Sequence, residues 1–264
     1  MKVRAIALNT LSALIRSRIL ILFLVLFACV LLLMTSPLLV AKAMTSERQS
    51  RSLILTLVST IQGMVSGFGS LLAAWASADA LSSEMKSGTV LAVLARPLRR
   101  WEFLLGKFLG VQLLMVIYVL CTLGLAYLLA WIGGQRLVSS PWMLVVYPLV
   151  RYAFYSAIAM FLATMVHPVV ALGAVLMLSV TASVFASPTS VAFLPAWIKS
   201  SLHAVLPSMG LLSESRFLAL TSTPLKAVPW SEHLVALAYG LDWALVFFLL
   251  AVGVFRRRSL TQTT

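Results

Sequence analysis

Long apolar runs separated by short polar segments set the pattern of this chain. A helix needs about 20 apolar residues to cross the roughly 30 Å hydrocarbon core of a bilayer, and six runs meet this requirement. Because lipid offers no hydrogen-bond partners to an open backbone, we predict that each run forms a transmembrane helix. The predicted spans are residues 19–40, 53–78, 104–131, 143–166, 169–187 and 234–255.

The segment before the first span, residues 1–18, has a helical period instead. At 100° per residue its apolar side chains gather on one side and its polar ones on the other, which predicts an amphipathic helix lying in the membrane interface. Docking onto a cytoplasmic partner is the alternative. The apolar side holds Val3, Ala7, Leu8, Leu11, Leu14 and Ile15. The first apolar run exceeds the core of a signal peptide, about 7 to 15 residues, so we predict that it is retained.

The connecting segments differ in length. The fourth and fifth spans meet at His167-Pro168 with almost no loop. Residues 79–103 form one long connection and residues 188–233 another. The second holds five of the ten prolines yet stays apolar in pieces, which predicts short interfacial or re-entrant helices before the last span. An ordinary loop lying on lipid is the alternative.

Composition supports a membrane protein and excludes a soluble one. The 264 residues are 61% hydrophobic and 10% charged, whereas a soluble domain carries about 25% charged residues. The mean hydropathy is +1.04. We therefore expect an all-α, polytopic membrane protein with a single transmembrane domain over residues 1–264. The two cysteines lie in apolar runs and the three histidines are scattered, so neither a disulfide framework nor a metal site is predicted.

The net charge of +13 indicates attraction to anionic membrane lipids. Nucleic-acid binding is disfavoured, because the sequence has no soluble module that carries a basic stripe. With the N-terminus in the cytoplasm, twelve of the 20 basic residues fall on the inner side, as the positive-inside rule favours. An even number of spans then places both termini in the cytoplasm. We expect a multi-pass protein of a bacterial inner (cytoplasmic) membrane.

Residues 79–103 form the large cytoplasmic loop in this orientation. Thr89 or Ser87 can cap a new helix near Gly88, and Pro97 ends it, because proline disfavours helix at the residue before it. Arginines frame the apolar tip of this predicted helix. An apolar centre with a polar rim is typical of a docking surface, and a helix folded back onto lipid is the alternative.

The same loop carries a motif. In order, it reads Glu84, Gly88-Thr89, Leu91-Ala92-Val93-Leu94, Pro97, Arg100 and Gly106-Lys107. This order resembles the cytoplasmic loop of ABC type-2 permeases, the six-span subunits of ABC exporters, and residues 234–260 resemble that family's last span and basic tail. One departure is Arg99, which stands where the family often has a serine that caps the third span. Its loss predicts a helix start that frays or is capped by another group.

The resemblance implies partners and a role for the loop. It implies that two permease copies, identical or related, pair in the membrane and that two ABC ATPase subunits bind below them. ATP and Mg²⁺ would be bound by the ATPase, with no cofactor bound by this chain, and the loop helix would insert into a groove on the ATPase. The coupling residues it implies are Glu84, Gly88, Thr89, Val90, Leu91, Val93, Leu94, Arg96, Pro97 and Arg100.

The chain lacks a phosphate-binding loop of its own. Such a loop needs GxxxxGK followed by Ser or Thr, but Trp101 stands at the first glycine position and Phe108 follows Lys107. We therefore expect no ATP hydrolysis by this chain, and we interpret Lys107 as an anchor at the inner interface. A membrane serine protease is disfavoured, because only His167, at a helix end, could pair with Ser66.

Small and hydroxyl residues recur every three or four positions along the second span. Gly63 and Gly67 form a small-xxx-small pair, which favours close helix packing. A polar wall along the transport path is the second interpretation, and both hold if this span lies at a dimer seam. The candidate residues are Thr56, Ser59, Gln62, Gly63, Ser66, Gly67 and Ser70.

Arg151 and Asp242 are charges inside predicted spans. Each lies about eight residues from the outer end of its span, hence at similar depth. Because an isolated charge there is costly, we predict that the two form an intramembrane ion pair. Snorkelling of the charges to the interface and contact with substrate are the alternatives.

Two other function classes stay open on the sequence. An ion-coupled secondary transporter usually has acidic residues or broken helices near the middle of the bilayer, but the middle of these spans is nearly free of charge. A membrane anchor for another complex would need the loop only for assembly. The apolar interior suits a lipid, drug or peptide cargo better than a small hydrophilic ion, although fold class alone does not fix the cargo.

Overall fold

The computed structural model of the chain describes residues 2–18, 20–22, 24–25, 27–29, 47–87, 99–132, 137–138, 141–186, 212, 219–220 and 230–257. Helices and one pair of short strands account for almost all of these residues. The helices are α1 (Lys2–Ile15), α2 (Leu20–Cys29), α3 (Glu47–Ser87), α4 (Arg100–Ile132), α5 (Pro141–Met165), α6 (Pro168–Ala186) and α7 (Trp230–Arg257). The strands are β1 (Leu137–Val138) and β2 (Ala219–Leu220).

Helices that are long and apolar enough to cross a membrane confirm the predicted fold class. Within the described residues these are Gly63–Ser83 in α3, Arg100–Gly124 in α4, Leu144–Met165 in α5 and Trp230–Arg257 in α7. α1 and α2 meet at a bend of 61° and add a fifth if the pair is one span. The count of six stays a prediction. The first predicted span, 19–40, is described only as far as Cys29, and the described apolar stretch of α6 is the shorter Pro168–Ser179.

α3 extends beyond the predicted span 53–78 at both ends. It has 41 residues and is therefore roughly 60 Å long at 1.5 Å per residue. No glycine or proline occurs in residues 70–87, so nothing interrupts the helix before Gly88. The predicted loop 79–103 is correspondingly shorter, because its first nine residues belong to α3 and its last four to α4.

α5 and α6 form a tight hairpin, as the His167-Pro168 pair predicts. Only Val166 and His167 separate the two helices. The His167 carbonyl accepts the first backbone hydrogen bond of α6, from Ala171 N at 3.0 Å. Pro168 stands at the first helical position, where its missing N–H costs nothing because that group has no partner within the helix.

α5 lies at the centre of the bundle and packs most extensively against α3 and α7. The face of α7 that meets α5 carries small residues one turn apart, Ala236, Gly240 and Ala244. A Cβ atom on Gly240 would stand 2.6 Å from Val150 Cγ1 on α5, closer than real contacts allow. Small residues let helices approach closely in lipid, where apolar burial alone gives no drive to associate.

α1 packs along α4 and is not an isolated interfacial helix. A Cβ on Gly106 would stand 2.7 Å from Ile6 Cβ, and a Cβ on Gly110 would stand 2.7 Å from the Ala7 carbonyl oxygen. Gly110 also meets Thr10, whose Cβ would stand 2.7 Å from the added atom. From Gly106 to Gly110 the partner thus moves from Ile6 to Thr10, one turn on each helix, so α1 and α4 run in the same direction here.

The apolar residues of α1 divide between the contact with α4 and an exposed face, and the interfacial helix stays a prediction. Leu8 and Ile15 are 49% and 47% exposed, whereas Thr10 is buried. The hydroxyl of Thr10 donates to the Ile6 carbonyl at 2.8 Å, so this polar residue can face α4 without an unsatisfied group.

The predicted outer segment, 188–233, is described at few positions. Leu212 is fully buried between α5 and α7, beside Gly240. β2 pairs antiparallel with β1, with Leu137 opposite Leu220. The re-entrant helices predicted for this segment lie outside the described residues. β2 ties the segment to the chain just before α5, and Leu212 packs between α5 and α7 beside Val150 and Gly240.

The contact between α1 and α4 yields a test of stability. We expect Gly110→Ala to lower the melting temperature of the detergent-purified protein by several degrees. The added methyl group meets a backbone carbonyl that cannot move aside, and such overpacking costs about 1–3 kcal/mol. Gly124→Ala on the same helix is the matched control, because a Cβ there meets nothing within 4 Å. Equal melting temperatures for the two variants would contradict the packing of α1 on α4.

Candidate translocation path and coupling end

A polar seam runs between α3, α4 and α5. It comprises Ser66 and Ser70 on α3, Tyr118 on α4, and Arg151 and Tyr152 on α5. The Tyr118 hydroxyl donates to the Val65 carbonyl at 2.7 Å, the Ser70 hydroxyl donates to the Ser66 carbonyl at 2.9 Å, and Arg151 Nη1 donates to Ser66 Oγ at 2.7 Å. The seam therefore joins three helices through polar groups within the apolar bundle.

Gly69 lets the helices of the seam approach closely. A Cβ there would overlap the Tyr152 hydroxyl and would stand 2.7 Å from the Tyr118 ring. The two rings meet edge to face, with centroids 6.0 Å apart. The glycine is needed at this position because any side chain would push the tyrosines off α3.

The predicted stripe of small and hydroxyl residues on α3 divides between two faces. Ser66 and Ser70 are 5% and 7% exposed and belong to the seam. Gly63 and Gly67 are exposed, and a Cβ on either would meet nothing within 4 Å. Thr56, Ser59 and Gln62 lie on α3, but their side chains fall outside the described part of the chain. Among the described residues, the small-xxx-small pair is thus an open face of α3 that no other helix contacts.

Arg151 and Asp242 do not form the predicted ion pair. The guanidinium of Arg151 reaches α3 instead, where it bonds to Ser66, and it also interacts with the Tyr155 hydroxyl one turn along α5. Asp242 lies on an exposed face of α7. Similar depth therefore does not make the two groups partners, because Arg151 bonds to α3 and Asp242 is exposed on α7.

Arg99 and Glu102 form the start of α4. The Arg99 carbonyl accepts the first helical bond, from Glu102 N at 2.9 Å, and the Glu102 carboxylate accepts the Arg99 N–H at 3.1 Å. This is the returning half of a capping box, in which the third helical residue bonds the cap's backbone. The helix therefore has the alternative cap that its lack of a serine required.

Arg100 fastens the start of α4 to the end of α7. Its Nη1 donates to the Phe255 and Arg256 carbonyls at 3.2 and 3.0 Å. These carbonyls lie in the last turn of α7, where a cation also interacts favourably with the helix dipole. The rings of Phe103 and Phe255 stack beside it, with centroids 6.1 Å apart. We call this group, with Arg99, the basic end of the bundle.

Lys107 lies one turn deeper at this end. It is 3% exposed, and its Nζ is 5.7 Å from the centroid of the Phe103 ring. The amine is therefore enclosed among helices and engaged in a cation–π contact, an arrangement that differs from the predicted interfacial anchor.

A comparison with known families favours an ABC permease over a secondary transporter or a membrane anchor. The model of the ABC-2 family transporter proteins matches residues 4–260. The chain belongs to this ABC-2 transporter family. No curated protein matches its sequence. The chain is thus a membrane permease of an ABC transporter, and membership of the family implies association with an ABC ATPase.

Most of the residues predicted to couple this ABC-2 permease to an ATPase lie outside the described part of the chain. These are Gly88, Thr89, Val90, Leu91, Val93, Leu94, Arg96 and Pro97. Glu84 lies in the last turn of α3, with its side chain also outside it. Arg100 is described, and its bonds to α7 place it inside the permease. Its role as an ATPase contact stays a prediction.

Sequence reasoning missed one buried polar contact of the permease. The Tyr147 hydroxyl lies 2.8 Å from His233 Nδ1, between α5 and the first turn of α7, and both residues are buried. Neither residue has a distinguishing neighbour in the sequence. By contrast, Gly106 and Gly110 follow the same four-residue spacing as Gly63 and Gly67, a signal that could have identified the α1 contact.

Arg100 and Arg99 allow a matched test of the basic end. We expect Arg100→Met to destabilise the permease, because the loss of two hydrogen bonds from a charged donor costs on the order of 1–2 kcal/mol. Arg99→Met removes the same charge from an exposed side chain and should leave the melting temperature unchanged. Thermal unfolding in detergent measures both, and equal losses would show that charge, not the link to α7, matters.

Proposed function

We propose that this chain is the membrane-embedded subunit of an ATP-driven exporter, working as a pair of permeases with separate ATPase subunits. The family match over residues 4–260 carries the proposal. ATP and Mg²⁺ bind the ATPase, and this chain performs no hydrolysis. The apolar loop helix expected near residues 88–95 inserts into a groove on the ATPase.

The links at the basic end support a route for coupling. The loop connects α3 with α4. The first turns of α4 contact α7 through Arg100 and α1 through Gly106 and Gly110. A displacement of the loop by the ATPase would therefore move α1, α4 and α7 together. ATP drives this change only because it binds one state of the complex more tightly than the other.

The open face of α3 supports pairing of two permeases. Gly63 and Gly67 leave room for another backbone to approach, as interfaces between helices in membranes require. A two-fold axis along the membrane normal would bring this face of one copy against the same face of the other. The translocation path would then lie between the two second spans, beside the polar seams.

The charges support an orientation with the basic end in the cytoplasm. Arg99, Arg100, Arg256 and Arg257 gather there, in accord with the positive-inside rule. The loop would then face the ATPase, and both termini would be cytoplasmic, in the inner membrane of a bacterium. Exposed apolar side chains along α7 suit contact with lipid.

The loop yields the test of coupling. In proteoliposomes that contain the permease and its ABC ATPase partner, we expect Leu91→Asp to lower ATPase binding and transport-linked hydrolysis by at least about tenfold, since burying a charge in an apolar groove is costly. Leu91→Met keeps the apolar side chain and should keep both. Coupling through the loop is contradicted if the Leu91→Asp variant still binds and stimulates the ATPase, or if the permease transports cargo without the ATPase.

Disulfide trapping tests the pairing. In a background with Cys29 and Cys121 replaced by serine, we expect Gly67→Cys to form a covalent dimer in membranes treated with a mild oxidant. Two-fold symmetry places the two cysteines at equal depth. Gly253→Cys, at an equally open glycine on α7, is the control. Dimer formation no faster for Gly67→Cys than for the control would contradict pairing through α3.

A further inference from the structure

Arg151 is the one charged member of the polar seam. It stands ten residues after Pro141, the first residue of α5, so it lies about 15 Å from that end of the helix at 1.5 Å per residue. This depth is close to the middle of a hydrocarbon core roughly 30 Å thick. A cation at that level is rare in membrane proteins and usually faces a partner or a water-filled cavity.

The charge of Arg151 is not neutralised by the described residues. None of the carboxylates whose side chains are described forms an ion pair with it, and Asp242 is exposed on α7. A guanidinium has five N–H donors. Nη1 bonds to Ser66, Tyr155 interacts with the group, and the buried Nε has no hydrogen-bond partner. The Arg151 guanidinium therefore keeps N–H donors and a positive charge that the described residues do not use.

The position of the guanidinium gives it access to the open face of α3. Its partner Ser66 lies between Gly63 and Gly67 on the same two turns of helix. Those glycines are exposed, Ser66 is buried, and the Arg151 side chain is only partly buried. The cation therefore lies at the margin of the face where the proposed path between two permeases would run.

We propose that Arg151 binds an anionic headgroup, a carboxylate or a phosphate, on an amphipathic molecule that enters from this face. The planar guanidinium can offer two parallel N–H groups to two oxygens of such a group, and it keeps its charge in the membrane. The bond to Ser66 holds the guanidinium in place. The inference rests on the proposed function in taking the open face of α3 as the path, and it adds a substrate class.

Binding of amphipathic probes tests the site without ATPase or ATP. The permease is purified in a neutral maltoside detergent and titrated with dodecyl phosphate, and its melting temperature is followed. We expect Arg151→Gln to weaken the apparent affinity for dodecyl phosphate by at least about tenfold, with a smaller loss for Arg151→Lys. Arg99→Gln, at an exposed arginine of the basic end, should bind as the wild type does.

The results separate this inference from the coupling model. Equal affinity of the wild type and Arg151→Gln for dodecyl phosphate overturns the site, as does equal binding of cationic dodecyltrimethylammonium to the wild type. Neither outcome bears on the ATPase. Conversely, loss of coupling in the Leu91→Asp variant leaves these titrations unchanged.

A second measurement covers a variant that fails to fold. Phenylglyoxal modification of Arg151 in the wild type, read by mass spectrometry, should be slowed by dodecyl phosphate, and the absence of protection contradicts the proposal. Competitors then identify the source of the anion. Protection by inorganic phosphate indicates a free anion, protection by phosphatidylglycerol but not phosphatidylcholine nanodiscs indicates a lipid headgroup, and protection by dodecyl phosphate alone indicates an amphipathic cargo.

Discussion

Close approach of helix backbones is the constraint on which this fold depends. Lipid tails are as apolar as the side chains that they surround, so moving a side chain from lipid into a helix contact gains little free energy. Helices in a membrane therefore associate through close packing and polar contacts. The chain meets this constraint with small residues at two helix contacts. Gly106 and Gly110 of α4 lie against α1, and Ala236, Gly240 and Ala244 of α7 lie against α5. A methyl group at the glycines of these contacts would meet neighbouring atoms too closely, so the arrangement of the bundle follows from where side chains are absent.

Polar groups inside the bundle serve a second purpose. Where Thr10 and Ser70 bond to carbonyls of their own helices, they are satisfied locally and allow the helix to be buried. Tyr118 and Arg151 bond between helices, so they fix how α3, α4 and α5 are turned relative to one another. Hydrogen bonds within a helix and hydrogen bonds between helices therefore occur on the same face of α3. Of these groups, only Arg151, which bonds between helices, carries a charge that a ligand could use.

The sequence predicts the elements of this permease better than their faces. Apolar length alone predicts that α3, α4, α5 and α7 are spans, and the His167-Pro168 pair predicts the hairpin of α5 and α6, because both are properties of a local segment. The choice of partner is not local. Gly63-x-x-x-Gly67 and Gly106-x-x-x-Gly110 look alike in the sequence, yet only the second contacts another described helix. Similar depth likewise suggested that Arg151 pairs with Asp242, but the direction in which a side chain leaves its helix depends on rotations that depth does not encode.

The attachment of both end helices to the same short stretch of α4 has a mechanical consequence. α1 is held at Gly106 and α7 at Arg100 and Phe103, within about two turns of helix. We call these contacts of α1 and α7 with the start of α4 the terminal clasp. If the molecule were stretched between its two ends, the force would act on this clasp first, and the interior helices would bear little force until its contacts broke. Extraction of the chain from a membrane by either end would therefore begin with a rupture at this clasp.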